Sequence, residues 1–224
     1  MIPRLALPAL LLVAVAAAAP AHAQSDQQKL VDKARLTVED MRHDSEFTYS
    51  ADLLRRAKGV MVVPELTKGG LIVGGQGGGS VLLAKKTSTG GWSYPAFYSI
   101  GGATLGFQVG VQQAEVVFFV MTERAMQAWL RNEFKLGTQD GVAVFVVGEE
   151  KGPNPKSSTG ADAIAWVKAT GAYAGITVEG TSISFNTDDN RKYYGKTLNA
   201  DGIVLRGQAA NPGAEPLRNA LAFH

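Results

Sequence analysis

GGLIVGGQGGGSVLLAKK (Gly69 to Lys86) and WSYPAFYSIGGATLGFQVG (Trp92 to Gly110), joined by a TSTGG turn, decide the fold. Thirteen of the 42 residues from Gly69 to Gly110 are glycine, half of the chain's 26. They alternate with Leu71-Ile72-Val73, Val81-Leu82-Leu83, Leu105 and Val109. A flexible linker is rich in Gly and Ser but poor in such aliphatics, so the stretch reads as strands. Glycine within a strand marks a bulge, a sharp bend or a close backbone approach. Repeated glycines therefore predict a strongly bent, mainly antiparallel sheet, barrel-like or a sandwich. The fold class is α+β, with about three peripheral helices around that sheet.

The chain's first residues stand apart from this pattern. Arg4 precedes an apolar run from Leu5 to Ala19, and Ala21-His22-Ala23 has the A-x-A form of a secretory cleavage site. The run is short and alanine-rich for a membrane span. The reading is a signal peptide over 1–23, cleavage near Ala23-Gln24, and one domain over 24–224 that is periplasmic or secreted. The formal charge of +2 falls to +1 without Arg4, which gives no bulk electrostatic case for nucleic acid. With no cysteine, disulfides and thiolate chemistry are excluded.

Working outward, Gln24 to Asp44 reads as a helix capped by Ser25, with Leu30, Ala34, Val38 and Met41 on its inner stripe. Its other face mixes Lys29, Asp32, Lys33, Arg35, Glu39 and Arg42, which suits a solvated helix better than one lying on a membrane. Tyr49 to Lys58 reads as a second helix capped by Ser50. Val60 to Val63 reads as a buried strand closed by Pro64. EVVFFVM (Glu115 to Met121) is a near-continuous apolar run, short and β-prone, so it reads as a central strand covered on both sides. Thr122 caps a third helix with Met126, Trp129 and Leu130 inward. Asp140 to Val147 reads as a second buried strand, followed by a loop to Gly160. Ala163 to Lys168 and Ala172 to Glu179 read as a hairpin, and Thr181 to Asn186 as a further strand. Asp188 to Gly195 reads as a turn and short helix, Asp201 to Leu205 as a turn or strand, and Pro216 to Phe223 as a C-terminal helix.

Catalytic constellations are missing from the sequence. After the leader only His43 and His224 remain, too few for a zinc site or a Ser-His-acid triad outside His43, and no G-x-S-x-G surrounds a serine. No lysine follows the glycines in a phosphate-loop frame, and Gly75-Gln76-Gly77 runs on into a strand rather than a helix. Glu149-Glu150 and Asp188-Asp189 are adjacent pairs whose side chains diverge on an extended chain, so neither is a natural acid–base dyad. No cofactor is implied, and the chain reads as non-enzymatic.

What remains are small basic clusters: Arg55, Arg56 and Lys58; Lys85 and Lys86; and Arg191, Lys192 and Lys196. Two or three such side chains can hold a phosphate through charge-assisted hydrogen bonds. Tyr193-Tyr194 beside Arg191 and Lys192 suits a membrane interface.

The order of several motifs carries a resemblance. Ala57 to Pro64 (AKGVMVVP) leads into GGxGGGSVL. Trp92-x-x-Pro95-Ala96-Phe97, Gly101-Gly102 and Gly106-Phe107-Gln108-Val109-Gly110 follow. EVVFFVM, Lys135-Leu136-Gly137, Tyr173 to Gly180 (YAGITVEG) and Asn190-x-x-Tyr193-Tyr194-Gly195 complete the series. From about Leu30 to Gly207 the chain resembles the SYLF domain family. The resemblance implies a non-enzymatic lipid-binding domain, phosphoinositide-type in the family, with actin binding in some members. It also implies lipid contact by an N-terminal amphipathic helix, here Gln27 to Arg42, with Lys29, Lys33 and Arg35 as the contacting cations. The resulting expectation is recognition of anionic phospholipid or phosphoinositide headgroups. Arg55, Arg56 and Lys58 come first as contacts, then Lys85 and Lys86, with Lys29, Lys33 and Arg35 on the helix. The alternative is a structural or protein-interaction domain of the envelope with no lipid ligand.

Overall fold

The computed structural model describes residues 24–70, 73–86, 90–105, 111–132, 142–146, 160–170 and 181–222. The signal peptide expected over 1–23, the loop expected before Gly160, the strand expected over 172–179 and the motifs at 106–110 and 135–137 lie outside the described residues.

Seven strands form one curled, open sheet in the order β5-β6-β4-β1-β2-β3-β7, a half-barrel. They are β1 (Gly59–Gly70), β2 (Val73–Ala84), β3 (Ala96–Leu105), β4 (Val111–Val120), β5 (Val144–Val146), β6 (Ala163–Thr170) and β7 (Ser182–Phe185). Every pairing is antiparallel except the edge pair β5–β6, which is parallel. The expected α+β class and bent, mainly antiparallel sheet are therefore present.

Both faces of the sheet are covered. On β4, Val116, Phe118 and Val120 face one core while Val117 and Phe119 face the other, the period of two of a pleated strand. That double burial is why Val116 to Val120 is apolar without a break. The first core takes α3 (Glu123–Arg131) and α5 (Ala200–Val204), with Trp129 edge-on to Phe118 at 6.1 Å. The second takes α1 (Asp26–His43), α2 (Ser50–Arg56) and α6 (Glu215–Leu221), with Phe47 set 5.9 Å from Phe119. A further helix, α4 (Thr187–Tyr194), packs on β3.

Several expectations are corrected. Six α-helices occur among the described residues rather than about three; α2, α5 and α6 are short, held by packing rather than by length. The stretch expected as a turn or strand over Asp201 to Leu205 holds helix α5 (Ala200–Val204), because the Asn199 side chain accepts from Gly202 N and caps it. Ser50 lies inside α2, whose cap position is Tyr49 without a side-chain bond. The inner stripe of α1 is Val31, Ala34, Thr37, Val38 and Met41, while Leu30 is half-buried. Of the strand expected over Asp140 to Val147, β5 keeps three residues. They are half-buried because β5 is an edge with a single neighbour.

Pro64 does not close β1. The strand runs on, and its register shifts between Val63 and Leu66 against β4 and between Val62 and Thr67 against β2. A bulge absorbs the missing proline N–H and bends the strand. Gly78 of β2 faces this bulge, where a Cβ would collide with the Glu65 carbonyl. Here glycine permits a close backbone approach, as the sequence pattern implied.

Candidate anion-binding cleft

Antiparallel register gathers the two leading basic clusters at one end of the sheet. The start of β1 lies between the ends of β2 and β4, with Gly59 opposite Ala84 and Val120. Lys58 N donates to Val120 O (2.7 Å), and Lys85 N donates to Lys58 O (2.8 Å). Immediately before Lys58, α2 ends at Arg56. Arg55, Arg56, Lys58, Lys85 and Lys86 therefore line one open cleft of about 630 Å3. Ala57, Gly90, Glu123 and Met126 continue the wall, and the exit of α5 closes it with Val204, Leu205, Arg206 and Gly207.

The cations are not equivalent. Lys85 is half-buried, and its Nζ donates to the carbonyls of Leu54 (3.2 Å) and Arg55, at the negative end of α2. Burial, and then the charge of Arg55, hold its amine below the usual lysine range. Arg55 and Arg56 share Asp52 at 3.4 and 3.2 Å, and Arg206 pairs with Asp201 at 2.6 Å. Among the described residues Lys58 and Lys86 have no ion-pair partner. Six cations thus share the lining with a single carboxylate, exposed Glu123; Asp52 and Asp201 pair with the three arginines, and the Glu215 carboxylate acts on Lys86 from beyond ion-pair distance. An excess of three positive charges collects here in a chain whose total is +2. Ammonium and guanidinium donors that line one cleft suit phosphate or carboxylate oxygens.

The cations of α1 lie elsewhere and are matched. Lys29 pairs with Asp26 (2.9 Å), Lys33 with Glu65 (2.7 Å) and Arg35 with Glu39 (2.6 Å). Lys29 and Lys33 line a separate groove of about 390 Å3 together with Asp26, Glu65 and Gly77 to Gly79. Its charges balance, so it offers an anion much less than the cleft does. Arg191 on α4 pairs with Asp188 at 3.1 Å. The adjacent tyrosines are anchors rather than an interface: Tyr193 is buried 4.9 Å from Phe97, and the Tyr194 hydroxyl donates to Pro95 O. Burial pushes both phenols well above the usual tyrosine range. His43 is exposed at the end of α1, its Nδ1 2.7 Å from Glu39 O.

Met126 was expected on the inner face of α3 and Leu205 in a turn or strand, but none of Leu205, Arg206, Met126 and Glu123 was expected to line a binding site. Their only local signal is Leu205-Arg206-Gly207 behind a short helix, and they meet the basic clusters through long-range packing. Among the described residues no His, Asp and Glu side chains gather in a way that could hold a metal ion.

Residues 101–223 match the Ysc84 family, described as "Las17-binding protein actin regulator". The chain belongs to the Ysc84, or SYLF, family. The matched region carries the α3 and α5 walls of the cleft, and the relatives extend the similarity toward the N-terminus. Protein YSC84 of Saccharomyces cerevisiae is 32% identical over 75% of this chain and 36% of its own length. LAS seventeen-binding protein 3 of the same yeast is 31% identical over 76% of this chain and 37% of its own. The SH3 domain-containing YSC84-like protein 1 of Mus musculus is 28% identical over 90% of this chain and 59% of its own. This SYLF chain thus spans between about a third and three fifths of the length of these relatives. The second is named for binding and the third for an SH3 domain, and none is named for a reaction.

Proposed function

We propose that this SYLF chain is a non-enzymatic binding domain whose cationic cleft takes anionic or phosphorylated phospholipid headgroups. The observation that carries the reading is the pair Lys58 and Lys86, without ion-pair partners among the described residues, in a cleft shared with four further cations. A phosphate there would replace water at several donors at once, and its charge would offset their mutual repulsion. The leader-like run over residues 5–19, ending in Ala21-His22-Ala23, supports action outside the cytoplasm, in the periplasm or after secretion.

A second reading, a domain that binds a protein partner without lipid, is favoured by the family description and by relatives named as Las17-binding. The cleft would then meet acidic side chains on that partner.

Replacing Arg55, Arg56 and Lys58 together by alanine separates the two. Each cation near an anionic surface contributes about 1 kcal/mol. With Asp52 already neutralising part of the arginine pair, the triple variant should lose about 2 kcal/mol, roughly thirtyfold, in affinity for anionic vesicles at low salt. Its binding should also vary less with ionic strength. Equal vesicle binding by both proteins would place any lipid contact elsewhere. Failure of the unmutated protein to bind vesicles would leave the protein-partner reading.

A further inference from the structure

We infer that the cleft is built for an amphiphile: a phosphate held by the cations, with an apolar neighbour seated on Leu205. This inference rests on the headgroup reading above. Among the described residues only Leu36 and Leu205 are large hydrophobic side chains left exposed, at 50% and 48%. Leu36 lies on the outer face of α1, away from any described cleft, whereas Leu205 is in the wall of the cationic one. Buried Met126, Val204 and Ala57 extend the apolar surface beside it.

Leu205 and Arg206 are held as a unit. Leu205 N donates to Asp201 O (3.0 Å), and so does Arg206 N (3.0 Å). The Arg206 guanidinium donates to Asp201 through Nε at 2.6 Å and to Asn199 Oδ1 at 3.2 Å. Those contacts orient its planar fork and use two of five N–H donors, leaving the rest for a ligand. Gly207 then takes a left-handed φ of +64 and turns the chain away directly after Arg206. An apolar and a charged side chain are thereby fixed next to each other at the rim.

Size supports the same conclusion. The cleft's 630 Å3 lies within the range of organic-ligand sites and far exceeds a phosphate ion. A free phosphate would engage the cations and leave Leu205 in water. A phosphate carrying glycerol and acyl carbons would cover both. This makes Leu205 a specificity determinant and Arg206 a further phosphate contact.

The test compares two soluble probes, glycerol 3-phosphate and monomeric dihexanoyl phosphatidic acid, by calorimetric titration of the purified protein. The lipid should bind about tenfold more tightly, the gain expected from covering one leucine. Leu205→Ser should erase that preference without weakening glycerol 3-phosphate, and Leu205→Met should retain it. Lys58→Gln with Lys86→Gln should weaken both probes, and Arg206→Gln should weaken both about fivefold. If both probes bind equally, or if Leu205→Ser keeps the preference while the lysine variant still loses binding, the inference is overturned and the headgroup reading stands. If neither probe binds, or if the lysine variant binds both unchanged, the headgroup reading falls and this inference with it.

Discussion

Asn190→Ala is expected to lower the unfolding free energy by about 3 kcal/mol, because it removes a buried hydrogen-bonding bridge. Asn190 is fully buried at the centre of α4. Its Oδ1 accepts from Phe97 N (3.0 Å), and its Nδ2 donates to Phe97 O (2.9 Å) and Asn186 O (2.8 Å). The pairing of β3 with β7 ends at Tyr98 and Phe185, so the Asn190 amide extends the ladder by one residue beyond that end. Alanine leaves Phe97 N without this acceptor in a buried setting, where an unmet donor is costly. Urea denaturation should show a lower midpoint with an unchanged slope. A loss below about 1 kcal/mol would mean that water or a shifted backbone replaces the bridge, contrary to this account.

Phe119→Ala is expected to cost more, about 4 kcal/mol, from lost burial and an unfilled cavity. Phe119 is fully buried on β4, between β1 and β6, where it is paired with Val60 and Ile164. Its ring meets Phe47, which lies between α1 and α2 and is itself edge-on to Tyr49 at 4.7 Å. Strand pairing on both sides limits collapse into the space left, so relaxation recovers little of the loss. Thermal and chemical unfolding of the variant check the figure. A loss below about 1.5 kcal/mol would contradict the placement of Phe119 at the centre of the second core.

These two residues show where the fold was legible. EVVFFVM could be read as a doubly covered strand because apolar character without alternation has few other outlets in a segment that short. The glycine-rich stretch could be read as bent sheet because aliphatics interrupt it. The break expected at Pro64 did not occur, since a bulge absorbs a proline inside a strand and the facing Gly78 makes room for the bent backbone. Helix α5 (Ala200–Val204) was hidden because five residues carry too little periodicity to register, although the Asn199 cap was present in the sequence. Asn190-x-x-Tyr193-Tyr194-Gly195 was visible only as a motif. Its physical content is a bridge to β3, two ring anchors and a left-handed cap at Gly195 with φ +68.

The cleft was half legible. Arg55, Arg56, Lys58, Lys85 and Lys86 could be picked out as charge clusters flanking apolar strands, and the antiparallel register makes them neighbours. Lys29, Lys33 and Arg35 look as basic in the sequence. Whether a cation is free or matched depends on residues such as Glu65, whose approach to Lys33 depends on tertiary packing. Leu205 and Arg206 escaped notice for the same reason: α5 reaches the cleft only through contacts distant in sequence.

The most direct test of the central claim is co-flotation of the purified protein with liposomes, neutral or containing anionic phospholipid, at low and at high salt. The cationic cleft should give binding to the anionic vesicles alone, released as salt screens the charges. Binding to both compositions regardless of salt, or to neither, would contradict it.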